Sequence, residues 1–137
     1  AVPDIADCIR SALTRTKAGE RLEKVFDAVV RGYRSEFGSL LSVAETGWIV
    51  EGVRAIGLEL GMRFLADFLG GDRWFPVTRP EQNAVRCRGQ LDVVRWIERN
   101  EPTLDRLVGQ VGRGGSDRCD PGGRLAPVRL DGGRTRL

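Results

Sequence analysis

Apolar residues recur at three- and four-residue steps through the first third of the chain. In 4–15 the repeating positions are Ile5, Cys8, Ile9 and Ala12. In 20–37 they are Leu22, Val25, Phe26, Val29, Val30, Tyr33 and Phe37. This spacing places the apolar side chains on one face of a helix. We therefore predict two amphipathic helices, the second of which ends at about Gly38, since glycine is favoured just after a helix.

A long third helix is predicted between a capping motif and a double glycine. Ser42 followed by Glu45 is typical of a capping box, in which both side chains accept hydrogen bonds from backbone N–H groups at the helix start. Gly70-Gly71 suits the other end, at about Leu69, because glycine tolerates the left-handed conformation there. Each glycine inside a helix costs about 1 kcal/mol relative to alanine. We therefore expect close packing of another element against the internal glycines, which are Gly47, Gly52, Gly57 and Gly61.

A final helix is predicted after an extended connection over 72–78. Pro80 lies where a proline in the first helical position is favoured, and apolar spacing predicts a helix over 81–99. Asn100 and Pro102 interrupt this pattern, so residues 103–108 are expected to form at most one and a half turns. The positions expected to face the core are Val85, Leu91, Val94 and Ile97.

No strand signal longer than a few residues occurs in the sequence. The patterns predict an all-α fold of about four main helices, in one domain over 1–108. From Gly109 the apolar periodicity ends, and glycine and arginine become frequent. A segment of this composition buries too little apolar surface to fold. We therefore predict a disordered Gly/Arg-rich tail over 109–137.

Histidine is absent from the sequence, and this absence excludes whole classes of site. Ser-His and Cys-His nucleophile pairs and histidine-based zinc sites all need this residue. The three cysteines are far apart and form no CxxC pair; they are Cys8, Cys87 and Cys119. An odd, scattered set is typical of reduced thiols, and no secretion leader opens the chain. We therefore expect a cytoplasmic protein.

The net charge of +3 is unevenly distributed along the chain. Residues 109–137 contain six Arg and three Asp, so the helical part is close to neutral. A neutral body argues against a nucleic-acid surface on the helices. Arg-Gly-Gly occurs once, at 113–115, which leaves RNA binding by the tail as a weak alternative. The longest apolar stretch, 48–69, contains five charged residues and is therefore not expected to span a membrane.

Two strings near the middle of the chain carry a resemblance to a known family. They are GMRFLADFLGGDRWF, at 61–75, and RPEQNAVRCRGQLDVVRWIE, at 79–98. Together they resemble the C-terminal helical part of aminoglycoside/choline-kinase-like phosphotransferases, in the branch of the N-acetylhexosamine 1-kinases and of proteins labelled mucin desulfatase. The residues that match the family pattern are Gly61, Arg63, Phe64, Leu65, Asp67, Leu69, Gly71, Asp72, Phe75, Asn83, Arg86, Arg88 and Gln90.

The resemblance covers about 2–108 and implies the C-terminal lobe of a protein-kinase-like fold. Enzymes of this kind use ATP and Mg²⁺, which they hold with a glycine-rich loop, a lysine on a strand, and an Asp-containing catalytic loop. The sequence contains no such loop, strand lysine or His-x-Asp motif. We therefore expect no catalytic residue, cofactor site or metal ligand in this chain, and at most weak binding of the amino-sugar-like acceptor.

Two residues correspond to sugar-contacting positions of the family. They are Arg63 and Trp74, although the family has tyrosine at the second position. Each has a structural alternative. An ion pair with Glu59 or Asp67, one helical turn away, would occupy Arg63. Burial of Trp74 and Phe75 under the loop would instead make Trp74 an apolar anchor that holds the loop against the helices.

Several polar residues are expected to support this site, namely Asp67, Asp72, Asn83, Arg86 and Gln90. The last three lie at three- and four-residue steps on one helix face, and we interpret them as struts that hydrogen-bond the loop backbone. Gln82 stands where the family has a histidine. A second segment, containing Asp4, Asp7 and Arg10, resembles the one that follows the family's metal-binding loop. We interpret it as helix-start charges with a local ion pair.

The sequence leaves two alternative functions for this chain, which belong to different classes. The first is the acceptor-binding part of a small-molecule kinase that acts on an amino-sugar-like compound and is inactive without its nucleotide-binding half. The second is a non-catalytic helical interaction module, in which exposed apolar surface meets a partner or a second copy.

Overall fold

The structure is a computed structural model that describes residues 2–16 and 21–111. Within these ranges the chain forms helices and turns and no strand, which confirms the all-α prediction. The helices are α1 (Val2–Arg15), α2 (Leu22–Phe37), α3 (Val43–Gly47), α4 (Ile49–Leu69) and α5 (Gln82–Val111), with a 3₁₀ turn at Gly38–Leu40. None of the described helices is long and apolar enough to cross a membrane.

The core lies where α1 and α2 pack against α4 and α5. Phe26 of α2 is its largest fully buried side chain. Burial of a side chain of this kind contributes about 1.5–3 kcal/mol. The other large apolar side chains that are fully buried are Ile5 and Ile9 of α1, Val30 of α2, Ile49 and Val53 of α4, and Ile97 and Leu104 of α5.

The glycines of α4 let two neighbouring helices approach it closely. A Cβ atom on Gly57 would lie 2.9 Å from Val94 Cγ2 on α5, and one on Gly52 would lie 3.1 Å from Ala6 Cβ on α1. Gly61 faces α5 in the same way, with Gln90 Cβ at 3.4 Å. The predicted close packing is therefore confirmed at these three positions. It is wrong for Gly47, where nothing lies within 4 Å of such an atom.

The capping box is present, but the helix that it begins is short. Ser42 Oγ accepts from the Glu45 N–H at 3.1 Å, and the Glu45 carboxylate accepts from the Ser42 N–H at 2.9 Å. The predicted single helix to Leu69 is interrupted at Trp48, where the backbone leaves the helix for one residue. Trp48 is exposed, whereas Ile49 directly after it is fully buried.

The predicted break at Asn100 and Pro102 is wrong, because α5 continues to Val111 with Pro102 inside it. Leu104 is fully buried and Val108 nearly so, and this burial offsets the roughly 3 kcal/mol that a proline costs in a helix interior. Arg34 Nη1 also donates to the Val108 carbonyl at 3.1 Å. The helix thus passes the expected tail boundary at Gly109. The rest of the predicted tail, 112–137, lies outside the described residues.

The inward positions of α5 are mostly those expected. Val94 and Ile97 are buried and Leu91 is partly buried, but Val85 is 46% exposed and Cys87 is buried instead. The expectation fails at Val85 because the first turn of α5 directs the polar side chain of Asn83, not an apolar one, into the interior.

Candidate ligand-binding site at the end of α4

A Schellman motif ends α4 at the double glycine. The Asp72 N–H donates to the Asp67 carbonyl at 2.8 Å, and the Gly71 N–H donates to the Phe68 carbonyl at 3.3 Å. Gly71 has a φ of +90°, as expected for the left-handed position, whereas Gly70 is right-handed with a φ of −84°. Asp72 is also left-handed, with a φ of +55°. The double-glycine stop is therefore confirmed, with Gly71 as its left-handed residue.

The loop over 70–81, which joins α4 to α5, folds around the carboxylate of Asp67. This side chain is only 4% exposed. Its Oδ1 accepts from the N–H groups of Arg73 and Trp74 at 2.8 and 3.0 Å, and its Oδ2 accepts from the Phe75 N–H at 2.9 Å. Three successive backbone donors thus converge on one side chain, which fixes the conformation of the loop.

The same contacts set the charge state of Asp67. Burial raises the pKa of its carboxyl group, but the N–H groups of Phe75, Trp74 and Arg73 stabilise the carboxylate and together leave the pKa below its ordinary value. Asp67 is therefore ionised at neutral pH. Its oxygens are occupied by backbone donors, so it is a support for the loop and no general base.

Asn83 connects the first turn of α5 to this loop from a fully buried position. Its amide nitrogen donates to Asp67 Oδ2 at 3.0 Å, to Asp72 Oδ1 at 2.8 Å and to the Phe75 carbonyl at 3.3 Å. Its side-chain oxygen accepts from Arg86 Nη1 at 2.7 Å. The interpretation of Asn83 as a strut is confirmed, and Asp67 and Asp72 are its acidic partners.

Arg86 holds the loop in two ways. Its Nη1 donates to the Pro76 carbonyl at 3.0 Å, which confirms its interpretation as a strut. Its guanidinium group also lies 5.7 Å from the ring centre of Phe64, within range of a cation–π contact. Phe64 in turn packs against Phe75, with ring centres 4.7 Å apart and planes inclined at 57°. The loop is therefore closed by a polar network on one side and by an aromatic pair on the other.

Gln90 does not take part in this network, so its interpretation as a loop strut is wrong. Its Oε1 accepts from Arg10 Nη1 of α1 at 3.1 Å. Gln90 lies one turn beyond Arg86, where α5 has passed the loop and faces α1 instead. Arg10 also pairs with Asp7 at 2.8 Å, which confirms the local ion pair predicted for this segment. Asp4 lies in the first turn of α1, as expected.

Gln82 has a role that the sequence analysis missed. Its Oε1 accepts from the Thr78 N–H at 2.7 Å and from the Thr78 hydroxyl at 3.3 Å, which closes the last part of the loop. The closed turn ends at Glu81, whose φ of +61° is not helical. Pro80 therefore precedes the helix by two residues, and its placement in the first helical position is wrong. The sequence signal for this contact is a threonine four residues before a glutamine at the start of a helix, a spacing at which the two side chains can meet.

An open groove of about 480 Å³ lies between the end of α4 and the loop. Arg63 and Trp74, the two residues that the resemblance assigns to sugar contact, both line it. The other lining residues are Ala66, Asp67, Gly70, Arg73 and Phe75. Arg73 was not among the residues expected from the sequence. Its backbone N–H is held by Asp67, and its exposed side chain brings a second guanidinium group to the groove.

The structure confirms the structural alternative given for Arg63, an ion pair on α4, but not the one given for Trp74, burial under the loop. Arg63 Nη2 pairs with Glu59 at 2.7 Å, so the expected ion pair on α4 is confirmed with Glu59 and not with Asp67. Both side chains of this pair are more than half exposed. Trp74 is 84% exposed, so its interpretation as an anchor is wrong. Of the two aromatic residues, Phe75 packs inward against Phe64, whereas the side chain of Trp74 points outward.

The groove presents guanidinium donors beside an exposed indole ring. Guanidinium groups donate to hydroxyl and carbonyl oxygens, and an indole face covers an apolar ring face. In the described residues no group of three or more His, Cys, Asp or Glu side chains could hold a metal ion. A search of protein-family models finds none that matches the chain.

Proposed function

We propose that the chain is the acceptor-binding part of a small-molecule phosphotransferase, and that the groove at the end of α4 binds an amino-sugar-like compound. The observation that carries the proposal is the meeting of Arg63 and Trp74 at one groove. The motif resemblance implies sugar contact for both of them. We place the protein in the cytoplasm, in keeping with its scattered cysteines.

The groove suits a small, neutral, polar ring. Trp74 offers a large flat face, on which the apolar face of a pyranose ring packs well. Arg63 and Arg73 offer donors for the ring hydroxyls and for an acetamido carbonyl oxygen. These donors lie on a support that is already ordered, since the Asp67 network fixes the loop without a ligand. A pre-formed site loses little conformational entropy on binding.

Phosphoryl transfer is assigned to a part of the enzyme other than this chain. Transfer depends on a nucleotide cradle, a bound metal ion and an oriented nucleophile. The carboxylate nearest the groove, Asp67, is committed to backbone N–H groups. We therefore propose weak acceptor binding without turnover for this chain alone. Incubation with ATP, Mg²⁺ and N-acetylhexosamines should give no sugar phosphate, and measurable turnover would contradict this proposal.

Binding is tested most directly through the indole N–H signals in a ¹H–¹⁵N NMR spectrum. The sequence has three tryptophans, and a Trp74→Phe variant identifies the signal of Trp74 by its loss. Titration with N-acetylglucosamine or N-acetylgalactosamine should shift this signal and leave that of Trp48 unchanged. Trp48 is a matched control, because it is also exposed but lies at the opposite end of α4.

Substitutions in the groove should lower the affinity for the sugar. Because Trp74→Ala lacks the indole signal, these titrations are followed through the backbone N–H signals of the loop over 70–81. Trp74→Ala and Arg63→Ala should each reduce the affinity for the sugar by about tenfold or more, since each removes one contact of about 1–2 kcal/mol. The controls are Trp48→Ala and Arg95→Ala, the second of which removes another exposed arginine that pairs within its own helix. Equal effects of groove and control substitutions, or no shift with any hexosamine, would reject the groove as a sugar site.

A second function, a non-catalytic helical interaction module, is favoured by a different observation. Large apolar side chains are exposed on α4, among them Met62 at 62% and Leu69 at 75%. Exposed apolar side chains that form a contiguous patch mark contact surfaces. Size-exclusion chromatography with light scattering tests this function, since a module that self-associates elutes above the monomer mass.

A further inference from the structure

We propose that two copies of this chain associate through an antiparallel, two-fold contact between their α4 helices. The contact surface, called the α4 stripe below, consists of Ala55, Leu58, Met62, Leu65 and Leu69. Four of these side chains are exposed and Leu58 is half-buried. The inference names the partner for the interaction function, and the α4 stripe shares no residue with the lining of the groove.

The α4 stripe lies on the side of α4 opposite the core. Val53, Gly57 and Gly61 pack on the other side, against the rest of the fold. A helix turns by 100° per residue, so Val53 and Met62 project in opposite directions. The helix is therefore apolar on two faces, of which the described fold covers one. A helix that is apolar all round is typical of one buried on every side.

The spacing within the α4 stripe is that of a helix-pairing seam. Its five residues are separated by three, four, three and four positions, which is the a/d pattern of a coiled coil. The seam extends over about 21 Å at 1.5 Å per residue. None of its residues is charged, and the adjoining positions Glu59 and Arg63 supply charge at its margin. This arrangement fits an apolar helix as partner better than a small molecule.

The order of residues in the α4 stripe favours a second copy of this chain. Ala55 and Leu69 each lie seven positions from Met62, and Leu58 and Leu65 lie four and three positions from it. An antiparallel pair with its two-fold axis at Met62 therefore places Met62 opposite Met62 and nearly superimposes the rest of the seam. Ala55 of each copy is then level with Leu69 of the other, and Leu58 lies within about 1.5 Å, along the helix axis, of the level of Leu65. The smallest residue thus meets one of the largest, so side-chain volume stays even along the seam. A two-fold contact needs this kind of self-complementary surface.

The charges beside the seam also match in this arrangement. Glu59 and Arg63 lie on the same flank of α4, and a two-fold axis at Met62 brings Glu59 of one copy to the level of residue 65 of the other. Arg63 of the second copy is then about 3 Å away along the axis, within reach of an arginine side chain. The pair that forms within one helix at 2.7 Å can therefore also form twice between copies.

The interface is expected to be small, so the dimer should depend on concentration. Five residues per copy cover less than the roughly 1,200–2,000 Å² that stable complexes bury. Light scattering over a dilution series should show a rise from monomer to dimer mass. Leu65→Glu and Met62→Glu should each weaken dimerisation by roughly a hundredfold or more, because a two-fold contact buries the new charge twice. A wild-type chain that stays monomeric throughout the series overturns the proposal.

Val43→Glu is the matched control. Val43 is 93% exposed and lies on α3, outside the α4 stripe, so the same substitution should leave the dimer unchanged. Circular dichroism of each variant checks that the helices are intact, as expected for exposed positions. If Val43→Glu abolishes the dimer while Leu65→Glu does not, a different surface forms it and the proposal is wrong.

Cysteine cross-linking distinguishes the antiparallel pair from a parallel one. In a background with Cys8→Ser and Cys119→Ser, Leu58→Cys and Leu65→Cys variants are oxidised separately and as a mixture. The antiparallel arrangement predicts a disulfide dimer in the mixture and little in either variant alone. Efficient cross-linking of Leu58→Cys with itself would indicate a parallel seam and overturn the proposal. Arg95→Cys, on the exposed side of α5, should remain uncross-linked.

Charge exchange provides an independent check. Glu59→Arg places an arginine beside Arg63 of the second copy and should weaken the dimer, and Arg63→Glu should do the same with two acidic groups. The double variant restores opposite charges and should recover dimerisation to near the wild-type level. No recovery in the double variant, with all three variants folded, would contradict the proposed register.

Discussion

Asp67 and Asn83 are 16 residues apart in the chain, yet the Asn83 amide donates to the Asp67 carboxylate at 3.0 Å inside the fold. This contact joins the end of α4 to the start of α5 and encloses the loop between them. Both residues are buried, and both also bond the loop itself. The loop that carries Trp74 is therefore held from its two ends by one shared network.

The first prediction concerns the coupling of these two residues. Asn83→Ala removes donors to two carboxylates and one carbonyl, and should lower the free energy of unfolding by about 2–3 kcal/mol. In an Asp67→Ala background the same substitution should cost less, because one of its two carboxylate partners is already missing. Urea denaturation of the two single variants and the double variant measures this difference. Additive losses would show that the two side chains stabilise the fold independently.

The second prediction concerns pH. The pKa of Asp67 is lowered in the fold, so its contribution to stability is present above its unfolded value of about 4 and is lost as the pH falls through the folded value. Wild type should therefore exceed Asp67→Asn in stability at neutral pH, and the difference should shrink progressively below about pH 4. Denaturation midpoints in urea from pH 7 to pH 3 measure the difference.

Wild type is compared with Asp67→Asn because the pKa values of two other carboxyl groups are also lowered in the fold. Hydrogen bonds from Ser42 lower the pKa of Glu45, and those from Arg54 lower the pKa of Glu51. Both groups therefore lose stabilising charge in the same acidic range. A constant gap between wild type and Asp67→Asn at all pH values would contradict the assignment to Asp67.

The third prediction compares two glycines of the same predicted helix. Gly57→Leu forces a side chain into the contact with Val94, where even a Cβ atom would lie at 2.9 Å, and should lower the free energy of unfolding by about 3 kcal/mol or more. Gly47→Ala meets nothing within 4 Å and should raise it by up to about 1 kcal/mol, because alanine favours a helix. Thermal unfolding of both variants measures the contrast. Similar shifts in the two would mean that α4 and α5 are less closely packed.

The fourth prediction concerns the part of α5 that follows the proline. Leu104→Ala removes a fully buried side chain and should cost about 2–5 kcal/mol. Pro102→Ala restores a backbone N–H donor within the helix and should stabilise the protein by about 1–3 kcal/mol. Exposed Arg106, replaced by alanine, is the control for Leu104→Ala. If Leu104→Ala were neutral, the sequence-based boundary near residue 100 would be the correct one.

The helices that the sequence predicted best are those with a strong apolar period and a local stop signal. The period located α1 and α2, and the double glycine located the end of α4, where backbone conformation is decided by one residue. Ser42 and Glu45 likewise form a cap within four residues. These features depend on neighbours in the chain, so residue order alone is enough to predict them.

The candidate site was predicted in part. Arg63 and Trp74 were identified by the motif, and Asn83 and Arg86 by their shared helix face. The roles of Gln90 and Gln82 were not, because each is decided by the residue that lies opposite in space, Arg10 for the first and Thr78 for the second. A helical period gives the direction of a side chain but does not identify the element that it meets.

The sequence by itself therefore determined that this chain is all-α, that a helix begins after Ser42, that one ends at the double glycine, and which residues belong to the loop after α4. Only the tertiary structure decided that α5 continues through Pro102, that Trp74 is exposed beside Arg63, and that α4 keeps an uncovered apolar face. Local preferences amount to about 1–3 kcal/mol per residue, and burial of a few large side chains between helices exceeds them. Contacts between residues distant in the chain thus overrule local signals wherever the two disagree.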